Sequence, residues 1–173
     1  AGPAGAGARR VAPDVVSYSA AASVCGAAGR WGEALALLEE ARAAAVLANE
    51  FTYSAVASAL GRGGQWQRAL ELLEEAEAAG FGSNKAVRNA VISACEKGGR
   101  WQHATALLCE AEVARLELGV TGFNAAVSAC EKAARWEPAL ALLALLKMKR
   151  LPPDVITYNA AISACEKGRQ WER

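Results

Sequence analysis

The chain has 173 residues and a formal net charge of +1, from 19 basic and 18 acidic residues. This balance favours no class of partner, so a surface for nucleic acid would have to be a local basic stripe. The longest apolar run, residues 139–146, is too short to cross a bilayer, and no membrane partner is predicted. Residues 1–14, Gly/Ala-rich at their start, are predicted to be a flexible N-terminal linker, with the tail of a targeting segment as the alternative. The first residue is not Met, which predicts a fragment of a longer protein.

A tryptophan recurs every 35 residues through the rest of the chain, at Trp31, Trp66, Trp101, Trp136 and Trp171. A fixed period of this size is typical of a solenoid, in which each unit buries its apolar face against the next. The predicted units are residues 15–49, 50–84, 85–119 and 120–154, with a truncated fifth over 155–173.

The sequence pattern of each unit predicts two helices. In the fourth unit the apolar residues between Phe123 and Cys130 fall at i, i+3, i+4 and i+7, which is one face of a helix. A pair such as Gly98-Gly99 then predicts the end of that helix through a left-handed cap. The second helix begins at the tryptophan, which shares an apolar face with the residues after it and is predicted to be a core residue. The pattern therefore predicts an all-α fold.

The cysteines and the single histidine do not indicate a metal or catalytic site. Cys25, Cys95, Cys130 and Cys165 occupy one slot of the repeat, which Leu60 fills in the second unit, so buried reduced thiols are predicted. There is no Cys-x-x-Cys spacing, and His103 is the only histidine, so neither metal nor disulfides are expected. No nucleophile, base and oxyanion donor occur together, so no catalytic residue and no cofactor is predicted, and catalysis would need a domain outside these residues.

The unit resembles the pentatricopeptide repeat. The features that carry the resemblance are the period of 35, the opening Tyr158-Asn159 and the closing Pro153-Asp154. The tetratricopeptide repeat, with 34 residues, fits less well, because its tryptophan lies in the first helix. The resemblance implies a right-handed α-solenoid with first helices on the concave surface and second helices on the convex one. It also implies binding of single-stranded RNA, one base per repeat, in the RNA processing, editing, stability or translation of chloroplasts or mitochondria.

The same resemblance implies site residues. The base-reading positions are the fifth and last residues of each unit: Ser19 with Asn49, Ser54 with Asn84, Asn89 with Gly119, Asn124 with Asp154, and Asn159 without its partner. The base-packing positions are Val16, Phe51, Ala86, Thr121 and Ile156. The candidates for phosphate contacts are Arg62, Lys97, Lys132 and Lys167. By the family's pairing preferences, the implied target is 5′-A-A-N-U-3′.

Structural alternatives stand beside these assignments. The residues that end each unit also suit helix N-caps, worth about 1 kcal/mol each; they are Asp14, Asn49, Asn84, Gly119 and Asp154. The basic residues at the ends of the first helices also complement the helix dipole. In the third unit Arg88 replaces an aromatic residue and Ala86 is small, so this unit is expected to bind weakly.

The rival function is a protein-interaction scaffold, because α-solenoids offer extended grooves to peptides as well. The near-zero net charge and the unusual pair Asn89/Gly119 favour it.

Overall fold

A computed structural model describes residues 14–46 and 48–169, and it contains nine α-helices and no strand within those ranges. The helices are α1 Val15–Ala27, α2 Trp31–Ala43, α3 Glu50–Arg62, α4 Trp66–Ala78, α5 Lys85–Lys97, α6 Trp101–Val113, α7 Gly119–Lys132, α8 Trp136–Met148 and α9 Val155–Lys167. Odd-numbered helices are the first helices of the units and even-numbered ones the second helices. The all-α prediction is confirmed, while Trp171 and residues 1–13 of the predicted linker lie outside the described residues.

The first helices end at the predicted turns. Gly64 and Gly99 follow α3 and α5 with φ of 70° and 68°, a left-handed conformation that costs glycine little. In the fourth and fifth units the same slot holds Ala134 and Arg169, with φ of 52° and 56°. The turn therefore forms even where a side chain opposes it, because the helices on both sides determine its conformation.

Side chains cap most of the first helices. Asp14 accepts a hydrogen bond from the backbone N–H of Ser17 at 2.8 Å, and Asp154 accepts one from Thr157 at 2.9 Å. Asn49 and Asn84 cap α3 and α5 in the same way. These four caps agree with the prediction.

The prediction of an N-cap is wrong at Gly119. This residue is the first of α7, and Leu118 precedes the helix without a side-chain cap. Gly119 has no side chain to accept a hydrogen bond, and its φ of 68° carries the chain into the helix by another path. The helix consequently begins one residue before the predicted unit boundary at 120.

The helices form two layers of unequal spacing. Each first helix packs directly on the next first helix, from α1 through α3, α5 and α7 to α9. Each second helix contacts the first helix of its own unit and that of the following unit. Neighbouring second helices are spaced more widely and, in the described residues, meet through side chains, as in the ion pair between Arg42 of α2 and Glu75 of α4. The first helices are thus closer together, which places them on the concave side. Among the described helices, none is long and apolar enough to cross a membrane.

A tryptophan joint couples consecutive units. A Cβ added to Gly98 would lie 2.5 Å from Cδ1 of Trp66, so the turn of one unit sits on the indole of the unit before it. The guanidinium of Arg100 covers the same indole at 4.7 Å from the ring centroid. The four described tryptophans are half-buried, and three of them, Trp31, Trp101 and Trp136, pack at the edge of the core rather than inside it as predicted. They hold neighbouring units together.

The cysteines of the repeated slot are reduced. Cys95, Cys130 and Cys165 are buried and Cys25 is half-buried, with all four thiols free. Burial raises the pKa of the Cys95 and Cys130 thiols to about 11, so these groups stay protonated at neutral pH.

Candidate nucleic-acid interface

The second residue of every unit lies near the start of a first helix and is exposed on the inner layer. Val16, Phe51 and Ile156 are 65%, 68% and 60% exposed, and Ala86 and Thr121 are exposed in the same slot. These are the predicted base-packing positions. Large apolar side chains that recur in phase on one surface suit a flat, partly apolar ligand.

A depression of about 470 Å³ lies between α1 and α3. We call its polar and aromatic lining the N-terminal section, defined as Ser19, Ser23, Phe51, Ser54, Ser58 and Arg62. It brings together two predicted base-reading residues, one base-packing residue and one phosphate candidate. The hydroxyl of Ser19 donates to the carbonyl of Val16 at 3.0 Å, and Nη1 of Arg62 donates to the carbonyl of Gly26 at 2.6 Å. Both acceptors are backbone carbonyls, and within the described residues Arg62 forms no ion pair with an acid.

The fourth and fifth units carry a different set of contacts. We call this set the C-terminal section, defined as Asn124, Glu131, Asp154, Thr157 and Lys167. Nδ2 of Asn124 donates to Oδ2 of Asp154 at 2.8 Å, while Oδ1 of Asp154 accepts from the backbone N–H of Thr157. The carboxylate therefore caps a helix with one oxygen and holds its predicted base-reading partner with the other.

Further hydrogen bonds restrain this pair. The hydroxyl of Thr157 lies 2.5 Å from Oδ1 of Asn124, in position to donate to it. The backbone N–H of Thr157, followed by the side chain of Asn124, lowers the pKa of Asp154, although this group is exposed. Asn124 is thus oriented on both sides of its carboxamide before any ligand arrives.

The serine–asparagine pairs are not joined in this way. Nδ2 of Asn84 donates to Oε2 of Glu50 at 2.5 Å, and its Oδ1 caps α5. Within the described residues, no hydrogen bond joins Ser54 to Asn84 or Ser19 to Asn49. The hydroxyl of Ser54 lines the depression instead.

In the third unit the predicted base-reading asparagine is already hydrogen-bonded to the backbone, and we call this unit closed. Nδ2 of Asn89 donates to the carbonyl of Leu118 at 3.1 Å, because Gly119 offers no side chain. Oδ1 of Asn89 is buried without a hydrogen-bond partner, and a Cβ at Gly122 would lie 2.6 Å from it. The slot of Gly122 holds Thr157 in the next unit, where the hydroxyl meets the asparagine oxygen. Asn89 is therefore turned to the linker.

Arg88, which replaces an aromatic residue in the third unit, is buried between two acids. Its Nη2 donates to Oε1 of Glu77 at 2.6 Å, and its Nη1 lies 3.6 Å from Oε2 of Glu110. The carboxylates compensate the charge that the substitution places in the core.

Three of the four phosphate candidates already have partners. Nζ of Lys132 lies 2.7 Å from Oε1 of Glu96, and Nζ of Lys167 lies 2.5 Å from Oε1 of Glu131. Each pair joins one unit to the next, and Arg62 is the third candidate with a partner. In the described part of the chain Lys97 has no ion pair. The sequence analysis missed these bridges, although the repeated Glu-Lys dipeptide was a signal for them.

The described residues contain no group of three or more His, Cys, Asp or Glu side chains placed to bind a metal ion. His103 is exposed, and its ring lies 5.2 Å from that of Trp66.

Comparison with known families gives matches over most of the chain. A profile described as the pentatricopeptide repeat domain matches residues 106–167, and one described as the PPR repeat matches residues 16–44, 51–81 and 87–115. No curated protein matches the chain.

Solved structures are similar as well. The crystal structure of the pentatricopeptide repeat protein PPR10 from maize is 30% identical, with a TM-score of 0.72, over 92% of this chain and 23% of that one. The structure of PPR10 in complex with an 18-nt psaJ RNA element is 20% identical, with a TM-score of 0.81, over 94% of this chain and 24% of that one. The chain thus spans about a quarter of the length of these proteins and shares their α-solenoid fold.

Proposed function

Since the chain belongs to the pentatricopeptide repeat family, we propose that its concave groove binds single-stranded RNA. The observation that carries the proposal is the N-terminal section, where one depression holds an exposed aromatic ring, two phased serine hydroxyls and an arginine. A ring can stack on a base, a hydroxyl can hydrogen-bond a base edge, and a guanidinium can bind a phosphate. This combination suits an unpaired nucleotide, whose base edge and face are both accessible.

The proposal extends to one base per repeat. Asn124 and Asp154 lie together at 2.8 Å, and each has remaining capacity: the amide has a second N–H and the carboxylate has further lone pairs. Uracil presents a carbonyl acceptor beside an N–H donor, which this pair can match. The two serine–asparagine pairs would take adenine, by the family's preferences, and the closed third unit would leave its base unread. The proposed register is 5′-A-A-N-U-3′.

We place this activity in the RNA metabolism of a chloroplast or mitochondrion, on the strength of family membership. Stacking contributes roughly 1–3 kcal/mol per base, and association costs translational and rotational freedom. Four full units are therefore expected to bind weakly, and an array extended with further intact repeats is expected to bind more tightly.

The test is fluorescence anisotropy with labelled RNA at low salt, varying the fourth base. We expect the chain to prefer uracil there, and the double substitution Asn124→Ser with Asp154→Asn to move the preference to adenine. The matched control, Asn89→Ser, alters the closed unit and should leave the preference at every position unchanged. Retention of the uracil preference by the double variant would contradict the base assignment.

A second candidate is a protein-interaction scaffold. The observations that favour it are the closed Asn89 and the lysines already paired with acids, both of which reduce what the groove offers to RNA. Failure to bind any single-stranded RNA at low salt, by a chain that is folded, would favour the scaffold.

A further inference from the structure

We propose that Glu96 and Glu131 determine which basic residues of the groove reach an RNA backbone. They hold back Lys132 and Lys167, so that phosphate contact falls mainly on Arg62 and Lys97. This inference rests on the proposed function and describes how the same groove takes its ligand.

The first observation is that the ion pairs lie on the groove surface. Gly26 and Arg62 line the depression between α1 and α3. Glu96 and Lys132 occupy the same two slots two units later, and Glu131 and Lys167 three units later. The basic residue of each following unit thus reaches back to this slot in the unit before it, at 2.6 Å, 2.7 Å and 2.5 Å in the three cases.

The second observation is that the partner changes along the array. Arg62 meets a backbone carbonyl, which uses one donor and leaves the positive charge uncompensated. In the repeat register the slot opposite Lys97 is that of Gly61, where a Cβ would lie 3.1 Å from Cα of Ala94. The close approach of α3 and α5 there leaves little room for an acidic side chain. The two ends of the groove therefore differ because of helix packing.

The third step concerns what a phosphate must displace. A lysine paired with a carboxylate gains little by exchanging it for a phosphate, since one acid replaces another. The lysines of both pairs are almost half exposed, at 46% and 47%, so the exchange is possible but not favoured. A basic residue without an acid adds the full effect of counterion release, a slope of about −0.7 in log K against log salt per contact.

The experiment measures the affinity of the intact chain and its variants for one single-stranded RNA of fixed sequence. The salt concentration is varied from about 0.05 M to about 1 M, the range over which counterion release dominates the change in affinity. Glu96→Gln and Glu131→Gln should each free one lysine. For each variant, the gain in affinity over the unmodified chain should be about fivefold larger at about 0.1 M salt than at about 1 M. The slope of log K against log salt should be steeper by about 0.7. The matched control is Glu74→Gln, which removes the same charge from an outer helix and should leave the slope unchanged.

A double-mutant cycle isolates the pair. In the unmodified chain Lys97→Gln should weaken binding about fivefold at about 0.1 M salt, whereas Lys132→Gln should change it less than twofold. In the Glu96→Gln background, Lys132→Gln should abolish the whole gain. Circular dichroism and thermal unfolding establish that each variant is folded. The loss of an exposed ion pair of this kind should not prevent folding, because such pairs contribute little to stability.

The outcomes separate the two proposals. If the unmodified chain binds RNA but the two glutamine variants keep its slope, or if Lys132→Gln weakens it as much as Lys97→Gln, the inference is wrong and the proposed function stands. If the unmodified, folded chain binds no RNA at low salt, the proposed function itself fails.

Discussion

The N-terminal and C-terminal sections share two slots of the repeat, one held by Ser19 and Ser54 or by Asn124, the other by Arg62 or by Lys167, yet the polar groups in these slots have different partners. The Ser19 hydroxyl and the Arg62 guanidinium donate to backbone carbonyls. Within the described residues, Ser54 forms no hydrogen bond with a neighbouring side chain. In the C-terminal section Asn124 is hydrogen-bonded to the side chain of Asp154, and Lys167 to that of Glu131. A ligand entering the first section adds contacts, whereas a ligand entering the second must exchange them. Repetition of the backbone therefore does not make the units equivalent as binding sites.

The largest expected effect comes from breaking the frame that both sections share. Gly98→Val places a branched side chain against Trp66, where even a Cβ would lie 2.5 Å from Cδ1. We expect the free energy of unfolding to fall by about 1–3 kcal/mol, through overpacking. Urea denaturation followed by circular dichroism measures it. The control Gly32→Ala adds a methyl group where no atom lies within 4 Å, and a loss of stability as large as that of Gly98→Val would contradict the joint.

The next effect sharpens the comparison on the ligand side. Phe51 is 68% exposed in the N-terminal section, so Phe51→Ala should leave folding unchanged. It should weaken RNA binding by about 1–3 kcal/mol, the contribution of one stacked base. Anisotropy titration measures this, with Ala86→Gly in the closed third unit as the matched control. Equal losses in the two variants would show that the sections do not differ in base contact.

A smaller effect compares one slot of the repeat in the fifth unit, within the C-terminal section, and in the second unit, beside the N-terminal section. Thr157→Val removes a buried hydroxyl that donates to Asn124 and accepts from the backbone N–H of Asp154, and should lower the free energy of unfolding of α9 by about 1–2 kcal/mol. Thr52→Val removes a hydroxyl bonded to Asn49 alone, and should cost less. Native-state hydrogen exchange of α9 and α3 measures the two losses. A larger loss for Thr52→Val would mean that the hydroxyl network does not distinguish the sections.

The smallest effect is a dependence on pH. The hydrogen bond from Lys167 is the main cause that lowers the pKa of Glu131 below its ordinary value of 4.5. The carboxylate therefore stabilises the contact of α7 with α9 at neutral pH, and this stabilisation is lost as the pH falls below 4.5 through the folded-state pKa. Hydrogen exchange of α9 between neutral and acidic pH detects it. Glu131→Gln should remove this component, and an unchanged pH profile in that variant would contradict the assignment.

Much of the fold followed from the position of the tryptophans. They marked the start of each described second helix, and the residues between them marked the caps at Asp14, Asn49, Asn84 and Asp154. These features depend on residues close together in the chain, so one sequence suffices to predict them. The exception is α7, which begins at Gly119 with a positive φ. No capping side chain in the sequence marks this helix start.

The candidate site was less predictable. Asn124 lies against Asp154, but Asn84 turns to Glu50 and Asn89 to a backbone carbonyl. Each choice depends on which residue the next unit places opposite, and hence on how closely the helices stack. The lysine–glutamate bridges span 36 residues for the same reason. Which polar group is left available to a ligand is decided by the stacking.

The wider spacing of the second helices has a mechanical consequence. The inner helices form a continuous stack, whereas neighbouring outer helices meet through long side chains, such as those of Arg42 and Glu75. A small change of tilt between two units alters the outer gap by moving these flexible side chains, while the closely packed inner helices hardly shift. The curvature of the array is therefore easier to change at its outer surface than along its inner stack.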